Sequence, residues 1–175
     1  MIKVPSPSMA LNSEDVPGAS YRLDNTWYVS RTESPQKICG WIAVVAADYK
    51  SRLPGSRFTV VFNSHGYEIM NHGGYGLAMG TGIKRSDIPQ FDKLRPHVDE
   101  IWFIACQAAY IDTPGGAGDG NLLMSGIAKA AQASVKVSTA TQVGDLWLPG
   151  GYVDDWEGTV LTYGPGGDVI DVAYN

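Results

Sequence analysis

Two short apolar runs limit what this chain can become. Phe58-Thr-Val-Val-Phe62 and Ile101-Trp-Phe-Ile-Ala105 contain no charge and each has the length of a strand. A strand with one wet face alternates polar and apolar residues, whereas a continuous apolar run is covered on both faces, as in the parallel sheets of α/β proteins. Parallel neighbours need a crossover, usually a helix. The chain carries a helical pattern just before the first run. Ser34 is a favoured N-cap and Pro35 suits the first helical position. Ile38, Trp41, Ile42, Val45 and Tyr49 then recur at helical spacing until Pro54-Gly55.

The rest alternates in the same way. Thr26–Ser30 reads as a strand, Ile88–Arg95 as a short helix stopped by Pro96, and Asn121 as the N-cap of a helix that carries Leu122, Leu123, Ile127, Ala130 and Ala131. Val135–Ala140 is the next strand. Thr159–Tyr163, a Gly164-Pro-Gly-Gly167 turn and Asp168–Tyr174 form a C-terminal β-hairpin. The stretch from Gly66 to Gly82 holds six glycines and reads as loop, with one short strand at Tyr75–Met79. This order predicts an α/β sandwich with a mostly parallel central sheet and helices on both faces. A chain of 175 residues makes one domain the expectation. Residues 1–20 are broken by Pro5, Pro7 and Pro17 and read as an extended N-terminal arm, so the domain is expected over 21–175.

Several function classes fall away. Thirteen basic against eighteen acidic residues give a net charge of −5, which argues against a nucleic acid or an anionic membrane as partner. The N-terminus lacks the apolar core of a signal peptide, and no segment reaches the roughly 20 apolar residues of a membrane helix. The expectation is a cytoplasmic protein, or one exported without a readable signal peptide. His65, His72 and His97 lack the spacing of a zinc site; Asp112, Asp119 and Asn121 lack EF-hand spacing. The glycines at 73–82 match neither a dinucleotide fingerprint nor a P-loop, and no Gly-x-Ser-x-Gly elbow is present. No metal and no cofactor is expected. Cys39 sits beside the apolar stripe of its helix and reads as structural, and Asp154-Asp155-Trp156 reads as a solvated turn.

Reactive residues lie where the two apolar runs end. In open α/β sheets, ligands bind outside the carboxyl ends of the strands. The first run leads into Asn63-Ser64-His65-Gly66 and the second into Cys106. If the strands are neighbours, an imidazole and a thiol meet at one sheet edge, which is what thiol nucleophilic catalysis needs. Gly66 lets backbone approach a substrate closely, and the N–H groups of Gly66 and Cys106 are candidates for an oxyanion hole.

Phe-Thr-Val-Val-Phe-Asn-Ser-His65-Gly66 followed by Ile-Trp-Phe-Ile-Ala105-Cys106 resembles the caspase-like (clan CD) cysteine peptidases. In that family a hydrophobic block ending in His-Gly precedes one ending in Ala-Cys or Gly-Cys. The likeness spans roughly residues 26–174. It is nearer to the cysteine protease domains of bacterial toxins and to CHAT-type domains than to animal caspases. It implies a caspase-like three-layer sandwich and a Cys–His dyad, with Cys106 as nucleophile and His65 as general base and acid. A protein or peptide substrate follows from it. Ile-Ala-Cys106-Gln107-Ala108 stands where animal caspases carry Gln-Ala-Cys-Arg-Gly, so their aspartate specificity is not carried over. The acidic charge balance gives no basic patch for the inositol hexakisphosphate that activates the toxin domains. The other reading is an inactive caspase-like scaffold that serves as a protein-binding, effector or regulatory module.

Overall fold

A computed structural model describes residues 1–16, 20–69, 75–111, 114–116, 118–142 and 147–174, apart from the side chains of 67–69 and 75. The architecture is α/β. Its centre is a seven-stranded mixed sheet built from β2 (Ser8–Ser13), β3 (Asn25–Val29), β4 (Thr59–Asn63), β7 (Glu100–Ile104), β8 (Ser134–Ser138), β10 (Thr159–Tyr163) and β11 (Val169–Tyr174). Their order in the sheet is β11-β10-β8-β7-β4-β2-β3. The five strands from β3 to β8 run parallel, while β10 and β11 close the sheet as an antiparallel hairpin. Two short ribbons stand outside it, β1 (Ile2–Lys3) with β9 (Tyr152–Val153) and β5 (His65–Ile69) with β6 (Tyr75–Ala78).

The two apolar runs become β4 and β7, each one residue away from its expected bounds, and they are parallel neighbours. Val60 stands opposite Ile101 and Phe62 opposite Phe103. The Phe62 and Phe103 rings stack across the pair with centroids 4.8 Å apart, both fully buried. Aromatic pairs of this kind add to what their buried area contributes.

Three helices accompany the sheet: α1 (Pro35–Arg52), a 3₁₀ helix (Arg85–Leu94) and α2 (Gly120–Ala131). The Ser34 hydroxyl caps α1 by accepting from the Lys37 N–H, as expected. The cap of α2 is Asp119 instead of Asn121, with one carboxylate oxygen accepting from Leu122 N–H and the other from Gly115 N–H. A carboxylate satisfies both segments at once, which the Asn121 side chain, already inside the first turn, does not.

Helices on both faces were expected, but among the described residues all three lie on one. Ile38 and Ile42 of α1, Phe91 and Leu94 of the 3₁₀ helix, and Leu123 and Ile127 of α2 share a single core cluster with Met9, Phe62 and Phe103. The reason is the direction of the crossovers. From β3 to β4 to β7 to β8 the chain advances one way across the sheet, and right-handed connections that advance one way fall on one face. The β2-to-β3 step goes the opposite way, and Tyr21, from the connection between these strands, packs on the other face. There Tyr21 joins Val4, Leu148, Val153 and Trp156 in a second cluster, packed on Ala10, Val61, Trp102 and Ile104 of the sheet.

Three expectations need correction. Residues 8–13 are not an arm: β2 is fully buried between β4 and β3. Ser-Met-Ala-Leu-Asn-Ser looks unsuited to a core strand, but its polar groups have partners. Asp24 accepts from the Ser8 N–H and hydroxyl, and Asn12 bonds to the Tyr21 backbone. Asp154 and Trp156 are buried, not solvated; the Tyr21 hydroxyl donates to Asp154 at 3.0 Å. Burial, with the Asp154 charge second, raises the Tyr21 hydroxyl well above its ordinary range. Trp41 is 47% exposed, since α1 buries Cys39 and Ala46 beside Ile38, Ile42 and Val45. β3 is the last strand of the sheet, so the outer flank of α1 has no strand beneath it.

The β4–β7 pair sets a measurable cost. Phe62→Ala should lower unfolding free energy by about 3–5 kcal/mol, the range for removing a buried aromatic ring. Urea denaturation checks this; a loss below about 1 kcal/mol would mean that the ring pair is not central to the core.

Candidate active site

The sheet reverses its direction of growth at β2. The chain steps from β2 to β3 on one side and then returns through α1 to β4 on the other. Such a switch point opens a crevice between the carboxyl ends of the two strands, where α/β proteins bind ligands. Here those strands are β2 and β4, and His65 lies two residues past the end of β4.

An asparagine pair stands at these two strand ends. Asn12 and Asn63 are register partners and almost fully buried. Asn63 Nδ2–H donates to Asn12 Oδ1 at 2.9 Å, and the same oxygen accepts the Tyr21 N–H at 2.8 Å. Asn12 Nδ2–H donates back to the Tyr21 carbonyl at 2.9 Å. Buried amides are costly unless bonded, and these fix the strand ends and the returning segment together.

His65 begins β5 and is oriented from the end of β2. Its Nε2–H donates to the Asp15 carbonyl at 2.9 Å. A carbonyl only accepts, so in the neutral ring Nε2 carries the proton and Nδ1 keeps the lone pair. The Asp15 segment is tied down in turn. The Arg31 guanidinium forms ion pairs with Glu14 and Asp15, and the Arg31 N–H donates to Glu14 Oε1 at 2.8 Å. No sequence signal singled out Asp15, because a main-chain acceptor leaves no trace in residue identity and Asp15 fell within the expected arm.

Gly66 joins the two halves of the site. It sits at the irregularity in the β5–β6 register, where a glycine often marks a close backbone approach. A Cβ there would lie 1.4 Å from the Cys106 carbonyl oxygen and 2.7 Å from its Cα. Gly66 was expected to admit a substrate; it admits the Cys106 backbone.

Cys106 is half-buried, two residues past the end of β7. Its thiol donates to the Gln142 carbonyl at 3.5 Å and its sulfur accepts the Gln142 N–H at 3.3 Å. The next residue, Gln107, has φ 54°, a left-handed conformation uncommon for a side chain larger than glycine. Its N–H donates to the Ala140 carbonyl at 2.8 Å, so the turn after Cys106 is anchored just past β8. Ala105, Ala108 and Ala109 are buried around it.

Cys39 contrasts with this. It is fully buried in the helical core, and burial pushes its thiol up to about 12. Among the described residues no group of His, Cys, Asp or Glu is placed to hold a metal ion, and no helix is long and apolar enough to cross a membrane. His97 is half-buried just before β7, away from both strand ends, whereas His72 and Asp112 lie outside the described residues.

Two experiments test this geometry. Iodoacetamide should modify Cys106 well before Cys39 near neutral pH, since only the former combines access with a strand-end setting. Mass spectrometry of the alkylated peptides reads the order, and Cys39 reacting first would contradict it. Gly66→Ala should cost about 1–3 kcal/mol in urea unfolding, because backbone has to move to admit the methyl. Gly40→Ala is the control: a Cβ there meets nothing within 4 Å, and helix propensity favours alanine. Equal stabilities for the two variants would deny the close approach.

No family model matches the chain, and comparison with curated proteins and with solved structures gives no match.

Proposed function

We propose that the chain is a caspase-like cysteine peptidase, or a closely related thiol acyl hydrolase, that works with a Cys106–His65 dyad. The supporting observation is the packing of the His65-Gly66 backbone on Cys106 at the carboxyl ends of adjacent parallel strands. In the first step His65 takes the thiol proton, and the sulfur electron pair attacks the substrate carbonyl carbon. The carbonyl π electrons move to oxygen, where the N–H groups of Gly66 and Cys106 receive the charge. Collapse expels the amine, which takes its proton from the His65 imidazolium. Water, deprotonated by His65, then cleaves the thioester and regenerates the thiol. The dyad needs no metal or cofactor. The substrate is a protein or peptide, and the net charge of −5 weighs against nucleic acid as its partner.

The decisive experiment is covalent labelling by a thiol-reactive peptide electrophile. Wild type should label at Cys106, and Cys106→Ala should not. His65→Ala should label about 10²–10⁴-fold more slowly, the usual contribution of a general acid–base group. Its melting temperature should stay close to that of wild type, since a half-buried side chain at a strand end carries little stability. His97→Ala is the control. If His65→Ala melts early and His97→Ala labels equally slowly, His65 is structural, and the binding-scaffold reading takes the place of the peptidase.

A further inference from the structure

The Cys106 sulfur is gripped by the main chain of a single residue. The N–H of Gln142 points into it at 3.3 Å, and the carbonyl of the same residue takes its proton at 3.5 Å. A donor and an acceptor from one residue leave the thiol few places to rotate. What holds Gln142 there is its own side chain. Its Nε2 donates to the Ala140 carbonyl at 3.1 Å and to the Glu157 carbonyl at 3.3 Å. Its Oε1 accepts the Glu157 N–H at 3.3 Å. The amide therefore bonds both main-chain polar groups of Glu157 and folds back on its own turn.

The same turn is anchored twice more. The Ser138 hydroxyl donates to the Glu157 carbonyl at 2.5 Å and accepts the Ala140 N–H at 2.9 Å. The Gln107 N–H donates to Ala140 on the other side of the sulfur. Three segments, 106–107, 140–142 and 157, thus meet around one glutamine. The bonding pattern needs a side chain with a donor and an acceptor at this reach. Glutamate lacks the donor, methionine lacks both, and asparagine is one methylene short.

We infer that Gln142 is a positioning residue for the Cys106 thiol: its side-chain amide fixes a turn whose main chain clasps the sulfur. The inference rests on the reading of Cys106 as nucleophile, and it adds what keeps that nucleophile in place. Displacing a reacting group by about 1 Å can cost on the order of 10²-fold in rate. A clasp that limits the sulfur to one rotamer is therefore worth having at such a site.

The test uses the S–H stretching band, which lies where the rest of a protein does not absorb. The chain has two cysteines, so subtracting the infrared spectrum of Cys106→Ser isolates the Cys106 band. In wild type this band should be narrow and at the low frequency of a hydrogen-bonded thiol. In Gln142→Met, which keeps the length and removes the amide, it should broaden and move toward the free-thiol position. Labelling by the peptide electrophile should fall about tenfold. If Gln142→Met does not fold, Gln142→Asn carries the test, with the same band shift expected. A band unchanged in the folded variant overturns the clasp, whatever the labelling shows. A wild-type Cys106 that resists the electrophile while its band responds to Gln142→Met sinks the peptidase reading and leaves the clasp standing.

Discussion

The backbone of Gly66 lies against the peptide of Cys106, with no side chain between them. That contact depends on several things at once. The strands carrying the two segments have to be neighbours, parallel and in register, which the pairing of β4 with β7 supplies. The chain after β4 has to depart at a glycine, and the chain after β7 has to turn at once, which the left-handed Gln107 accomplishes. The site is thus a property of the backbone before any side chain acts. Side-chain chemistry is laid over it by His65 from one strand end and by the thiol from the next.

The two faces of the sheet serve this arrangement differently. One carries every described helix and the larger apolar cluster, including the stacked Phe62 and Phe103 that pin β4 to β7. The other is closed by connecting segments, and the indoles of Trp102 and Trp156 meet there with centroids 6.4 Å apart under the Lys136 ammonium. Tyr21, which follows β2 in the chain, packs on this second face, and Asp15, nearer the end of β2, holds the His65 ring through its carbonyl. The connection between β2 and β3 is therefore the one that delivers a main-chain acceptor to the imidazole.

Residue patterns revealed the parts of the fold whose chemistry is local. Ser34-Pro35 announced α1, the two uncharged runs announced β4 and β7, and the glycine turn announced the C-terminal hairpin. The positions of His65 and Cys106 just past two neighbouring strand ends were legible for the same reason, since each follows a readable strand. β2 was hidden because its burial depends on partners far along the chain: Asp24 for Ser8, and Asn63 and Tyr21 for Asn12. Asp154 and Trp156 were misread for a related reason, as a pair of acidic residues signals solvent until a buried Tyr21 is placed beside it. Asp15 acts on the site through a main-chain carbonyl, which any residue possesses, so identity alone carries no sign of it; Gln142 acts through its amide, but the amide gains meaning only once Glu157, far along the chain, is placed beside it.

The asparagine pair that joins the ends of β2 and β4 has a consequence for how the molecule responds to its surroundings. Asn12 and Asn63 hold the strand ends with amides, which neither gain nor lose a proton at any pH a protein survives. Neutral hydrogen bonds are also indifferent to counter-ions, unlike paired charges at a surface. The bonds between these amides are therefore of a kind that neither acidity nor ionic strength disturbs directly. The Arg31 ion pairs that hold the Asp15 segment are of the other kind, and salt acts on them directly.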